Sequence, residues 1–179
     1  MAVLPIVEIP DPRLRLTCVP VDAIDAEVKQ LAADMTETMY AAHGIGLAAI
    51  QVGVARRVVV IDLQDRVSEE EEAPPEAARN PQVFVNPEVV WASEERSRYN
   101  EGCLSIPEQY AEVERPERCR VTWLDLDGAR HEEEIHGLMS TCMQHEIDHL
   151  NGVLFIDHIT RLKRDMLLKK LAKARKSAA

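Results

Sequence analysis

No long apolar run occurs in this sequence. Runs such as Val58–Ile61 fall far short of the roughly 20 residues a membrane-spanning helix needs, so no membrane partner is expected. A basic leader with an apolar stretch and a small-residue cleavage site is also missing. Pro5 and Glu8 come early instead, so no signal peptide is expected and the cytoplasm is the expected location. Cysteine is sparse, and Cys18, Cys103, Cys119 and Cys142 show no compact spacing, which argues against a disulfide framework and for free thiols. No internal repeat is visible. Positive charge is scarce outside one segment: the net charge is −10, yet residues 161–176 hold eight basic residues against Asp165 alone. That segment carries +7 and the rest of the chain −17. An acidic body excludes general nucleic-acid affinity. The basic segment is read first as a solvated helix face, and second as a contact for a local anionic partner.

What is present suits one ordinary globular domain over residues 1–179, with 46% hydrophobic and 29% charged residues. A chain of this length buries about 70% of its unfolded surface without staples. The proline-punctuated opening at 9–15 is expected to be extended. Ile24, Val28, Leu31, Met35 and Met39 recur at helical steps, which predicts a helix of about 20 residues from Asp22 or Asp25 to His43-Gly44, closed by the glycine in a left-handed conformation. Residues 57–63 read as a buried strand, and 65–81, with a run of glutamates and Pro74, Pro75 and Pro81, as a flexible acidic loop. Short strands are expected at 83–85, 89–93, 111–114, 118–125 and 130–135, the last two joined by a turn at Asp127-Gly128. Helices should follow at 137–151 and 160–176, the second of them basic. The fold class is therefore α+β, with antiparallel or mixed sheets packed around a central helix, an N-terminal helix and a C-terminal helix.

Chemistry enters with His145, Glu146 and His149, an H-E-x-x-H motif. One helical turn brings both imidazoles to one metal ion and leaves the glutamate beside it to act on water. The plainer reading is two surface histidines on an amphipathic helix. A third ligand is needed, and the metzincin continuation fails because Phe155 stands where a histidine is required. A gluzincin-like ligand would have to be Asp165, on a poorly placed helix. Cys142, three residues before His145, and Cys103, in the segment E-G-C-L-S, both remain candidates. A ligand from a separate segment completes a tetrahedron more freely, which favours Cys103 without excluding Cys142. Residues 44–51 contain G-x-G-x-x-A, but a helix precedes it where a dinucleotide site needs a strand. Its glycines are better read as allowing close approach of a ligand, and Gln51 as a possible N–H donor to an oxyanion.

Together these segments resemble the three signature motifs of peptide deformylases: G-x-G-x-A-A-x-Q at 44–51, E-G-C-L-S at 101–105 and H-E-x-x-H at 145–149, in the family's order. The P-D-P-R-L-R opening and the H-L-N-G-V-L-F continuation extend the resemblance over most of residues 5–160. It implies a hydrolase that releases formate from the N-terminal formyl-methionine of nascent polypeptides. Cys103, His145 and His149 would be the metal ligands, Glu146 the general base and acid, and Gln51 with the Leu104 backbone N–H the oxyanion donors. Ile45, Gly46, Gly102, Leu138 and Cys142 would lie near the substrate. The ion implied is Fe2+, although the donor set also suits Zn2+, Ni2+ or Co2+. One departure is Ile50, where many members have proline; it is expected to alter loop rigidity or the pocket edge. The +7 segment on an acidic body separately suggests a C-terminal helix that contacts the ribosome, where formylated chains emerge. Competing readings are an H-E-x-x-H metallopeptidase, opposed by Phe155, and a non-catalytic metal-stabilised binding module, which has no need of Glu146.

Overall fold

The computed structural model describes residues 2–64 and 79–178, so most of the acidic 65–81 loop lies outside the described residues. In chain order the elements are α1 (Ala26–Ala41), β1 (Gly46–Ala48), β2 (Val58–Ile61), β3 (Gln82–Ala92), β4 (Arg96–Cys103), β5 (Ile106–Pro116), β6 (Arg118–Leu124), β7 (Arg130–His136), α2 (Gly137–Leu150) and α3 (Arg161–Ala178). Five strands form one sheet in the order β1-β2-β3-β6-β7, and β4 pairs with β5 as a separate hairpin. Every ladder is antiparallel.

The opening is not extended throughout. Pro12–Arg15 form a 3-10 turn because Asp11 accepts the Arg13 N–H and Pro12 occupies a first-turn position that requires no N–H. Asp25 caps α1 by accepting the Val28 N–H at 3.0 Å, and Val28, Ala32, Met35 and Met39 form its buried stripe. The helix is shorter than expected, and its glycine has a different role. His43 takes the left-handed conformation, with φ 59, whereas Gly44 makes room for Leu104: a Cβ there would lie 2.8 Å from Leu104 Cδ1.

Two of the expected short strands are one. β3 runs through Asn86 and Pro87 with a register shift, because Asn86 (φ 51) bonds through its side chain to the backbone of Val21 on both sides of its amide. The E-G-C-L-S segment, expected to be loop-like, ends β4 and turns directly into β5, with Cys103 facing Ile106. Its mostly polar, alternating composition hid the strand.

α2 lies between the two sheets and touches strands of both. Met143, Ile147 and Leu150 pack with Val59, Ile61, Phe84 and Val121 of the large sheet. Each such side chain contributes about 1.5–3 kcal/mol of burial free energy, which holds the helix in one rotation about its axis. α3 rests Leu167 and Leu171 on a second cluster with Val7, Ile9, Leu14, Ile106 and Phe155. Among the described residues no helix is long and apolar enough to cross a membrane.

Candidate metal centre

The rotation imposed on α2 buries His145, Glu146 and His149. Cys103 meets them from the tip of the β4–β5 hairpin. Its Sγ is 3.3 Å from His149 Nε2, and the donor atoms of Cys103, His145 and His149 lie within 4.8 Å of one another. Thiolate and imidazole ligands of one tetrahedral ion stand about 3.5 Å apart, so the separations are those of a ligand set. His145 presents Nε2, because its Nδ1 is hydrogen-bonded to Glu101 Oε1 at 2.9 Å. One oxygen of Glu146, Oε2, is buried beside the triad with no hydrogen-bond partner among the described residues. Three soft-to-borderline donors and a carboxylate free to hold water suit a divalent transition metal.

The two candidate cysteines stand in different places. Cys142 is not in the cluster; its sulfur would lie 3.0 Å from a Cβ built on Gly46, as would Glu146 Oε1. Gly46 therefore admits both side chains, and an alanine there would press on the glutamate. Phe155 is buried and stacks on His145 with ring centroids 6.2 Å apart, and Asp165 is exposed on α3 beside Arg161, so neither metallopeptidase continuation is formed.

Gln51 lies in a 3-10 turn, Ala49–Val52. Its Oε1 accepts the Ala48 N–H at 2.9 Å, which turns Nε2 toward Ser105 Oγ at 3.1 Å and Cys103 Sγ at 3.4 Å. A cavity of about 400 Å3 opens beside these groups. Ile45, Gly46, Leu138 and Cys142 line it, together with Gln51, Gly102 and Leu104. Cys103, His145 and Glu146 reach its wall, while His149 sits behind them. Ile50 does not border the cavity; it is fully buried in the core beside Ala48 and Val59.

Sequence reasoning missed the groups that hold His145. Arg115 grips Glu101 through two hydrogen bonds of 2.7 and 2.9 Å and reaches Asp148 at 2.9 Å, where His158 also binds at 2.8 Å. The available signal was parity: Ala111, Val113 and Arg115 share one face of β5, and an arginine on a buried face needs a partner. Tyr110 at the cavity mouth was also missed; its ring covers Gly102 so closely that a Cβ there would lie 2.4 Å away.

Burial opposes ionisation of Glu101, but hydrogen bonds from His145 and Arg115 outweigh it and bring its pKa down to about 2. The folded value lies below the ordinary 4.5, so the ionised group stabilises the protein above that pH, and this contribution is lost as pH falls from 4.5 toward 2. Melting temperatures measured across that window should fall more steeply for the native chain than for Glu101→Gln; parallel curves would contradict this. Removing the partner instead, in Arg115→Ala, leaves the buried Glu101 carboxylate with the His145 N–H but without its cation, and should destabilise the fold by about 3 kcal/mol in denaturant titrations. Glu146 is pushed the other way. Burial raises its pKa to about 7, with His145 acting against the shift.

With this geometry in place, comparisons with known proteins agree on one relationship. Residues 3–165 match the family model described as polypeptide deformylase. The chain is 62% identical to a peptide deformylase of Rhizorhabdus wittichii, covering 99% of this chain and 98% of that one. Identity is 59% to a peptide deformylase of Zymomonas mobilis, over 98% and 97% of the two chains. Among solved structures, peptide deformylase from Ehrlichia chaffeensis in complex with actinonin superposes with a TM-score of 0.87 at 38% identity, covering 97% of this chain and 98% of that one.

Proposed function

Because the chain belongs to the peptide deformylase family, we propose that it works on formyl-methionyl peptides with Cys103, His145 and His149 as metal ligands and Glu146 as its proton carrier. The enzyme is a hydrolase that releases formate from the N-terminal formyl-methionine of nascent polypeptides. The observation that carries the assignment of roles is the convergence of three donor atoms within 4.8 Å beside a buried glutamate, on the wall of an open cavity.

Such an ion, when bound, supplies Lewis acidity and lowers the pKa of a coordinated water toward neutrality. The protein residues divide the remaining work. Glu146, whose burial raises its pKa above the ordinary carboxylate value, accepts a proton and then delivers it to the departing amine. Gln51 Nε2, with Oε1 tied to Ala48, points its N–H toward Cys103, and together with the Leu104 backbone N–H it donates to the oxyanion of the formyl carbon. Ile45, Leu138 and Cys142 give an apolar wall for the methionine side chain, and Gly46 and Gly102 let the peptide backbone approach. Fe2+ is the ion proposed for the cell, with Zn2+, Ni2+ and Co2+ suited to the same donors. A thiolate ligand beside Fe2+ makes the enzyme sensitive to oxygen.

Residues 1–179 are read as one catalytic domain acting in the cytoplasm, where formylated chains are made. The basic face of α3 is proposed to contact the ribosome. Deleting the helix is a poor test, because Leu167 and Leu171 belong to the core. Lys169, Lys170 and Lys173 are exposed, and reversing all three to glutamate should weaken ribosome co-sedimentation by about tenfold at low salt. Unchanged binding would remove α3 from that role.

The experiment that tests the assignment is product analysis. A formyl-Met tripeptide should yield formate and the intact unformylated tripeptide, and the unformylated tripeptide should not be cut. Internal cleavage of either would instead support a metallopeptidase.

A further inference from the structure

The residues assigned to catalysis come from parts of the fold that no strand pairing joins. Gln51 follows β1 of the five-stranded sheet, whereas Cys103 and Leu104 sit at the tip of the β4–β5 hairpin, whose only strand pairing among the described residues is internal. At its base the hairpin runs directly into β3 and β6 of the large sheet, and the Glu117 N–H closes that base on Glu95 O at 2.9 Å. From that base to Cys103 is eight residues of strand, roughly 25 Å. A small change of angle at the base therefore becomes a displacement of the order of an ångström at the tip.

Besides α2, which packs on both the large sheet and the hairpin, one segment bonds through its backbone to each. The Val7 N–H donates to the carbonyl of Gln51 at 2.7 Å, and the Ile9 N–H, two residues on, donates to the carbonyl of Ser105 at 3.0 Å. Both side chains are buried, in the cluster that also contains Ile106 and Phe155. Gln51 and Ser105 are themselves joined by the Gln51 Nε2 to Ser105 Oγ bond of 3.1 Å. Two adjacent same-side donors of one chain thus fix the separation of Gln51 and Ser105, the residue that follows Leu104. Leu4 makes a comparable bond elsewhere, to Thr38 Oγ1 on α1 at 2.8 Å, away from the catalytic groups.

We propose that the backbone N–H groups of Val7 and Ile9 are positioning groups of the active site, acting through Gln51 and Ser105 to set the distance between the two oxyanion donors. This rests on the roles proposed above for Gln51 and Leu104. Misplacing a donor by a fraction of an ångström weakens transition-state stabilisation more than substrate binding. The segment therefore controls kcat rather than KM.

Cys18 makes the test accessible. A synthetic 1–17 thioester can be ligated to a recombinant chain beginning at Cys18, which rebuilds the full native sequence. Replacing the amide at Val7, at Ile9 or at Leu4 by an ester removes one N–H and leaves every side chain in place. With each protein folded and loaded with Ni2+, the esters at 7 and at 9 should each lower kcat for a formyl-Met tripeptide by about tenfold. KM and bound metal should stay within about twofold. The Leu4 ester should lower the melting temperature by a similar amount and leave kcat unchanged. Esters at 7 and 9 that lower the melting temperature but leave kcat as in the all-amide ligated protein would overturn the proposal. An all-amide ligated protein that releases no formate would fail at the earlier step, the assignment of the reaction.

Discussion

Glu146→Ala is expected to fold, to bind one metal ion per chain, and to release formate at least about a thousandfold more slowly than the native protein. The three proposed ligands are untouched by this change. What disappears is the carboxylate whose Oε2 has no hydrogen-bond partner among the described residues and whose pKa burial raises above the ordinary carboxylate value. A group so raised can gain and lose a proton, as a carrier in both halves of a hydrolysis must. The loss should be in kcat, with KM little changed, since Glu146 would act on water and on the leaving nitrogen. Glu146→Gln separates charge from shape: it fills the same space beside Gly46 but cannot accept the proton, and should be nearly as impaired. Stopped metal binding in these variants would make Glu146 a ligand; normal turnover would remove it from the mechanism.

The second large effect is expected at Gln51→Glu. The substitution keeps an oxygen that can accept the Ala48 N–H, so the local turn is retained. It replaces the Nε2 that lies 3.1 Å from Ser105 Oγ and 3.4 Å from Cys103 Sγ. A carboxylate there has no hydrogen to give to an oxyanion and sets a negative charge against the cysteine sulfur. Loss of one such donor costs about 100- to 1000-fold in kcat, and repulsion adds to it. The metal should also be held less tightly, so metal content must be measured alongside the rate. Gln51→Ala, which removes the donor without adding charge, should fall between the two. Rates near native for Gln51→Glu would show that Gln51 does not meet the oxyanion.

The sequence made the helical parts and the local chemistry readable. α1 and α2 follow from apolar spacing and the Asp25 cap, and H-E-x-x-H on α2 follows from one helical turn. The second contribution to the site was harder to read, because β4 is mostly polar and only its position against β5 shows Cys103 at a hairpin tip. Spacing alone allowed Cys142 the same role; only the packing of α2, which turns that sulfur toward Gly46, separates the two. The hydrogen bonds that support the site were least legible. Glu101, Arg115 and Asp148 are 14 and 33 residues apart along the chain, and no local pattern relates residues brought together by the pairing of β4 with β5 and the docking of α2. The helix ending at Ala41 shows the same limit at small scale. A glycine was available to close it, yet His43 bears the left-handed conformation, and Gly44 instead makes room for Leu104, distant in sequence.

The central claim is that one metal ion, held by Cys103, His145 and His149, is needed for deformylation. It is tested most directly by anaerobic titration of metal-free protein with Ni2+ while formate release from a formyl-Met tripeptide is followed. The rate should rise in proportion to added metal, level off at one equivalent per chain, and vanish when Cys103 is replaced by alanine. Folded protein that binds one equivalent at this site and releases no formate would contradict the account.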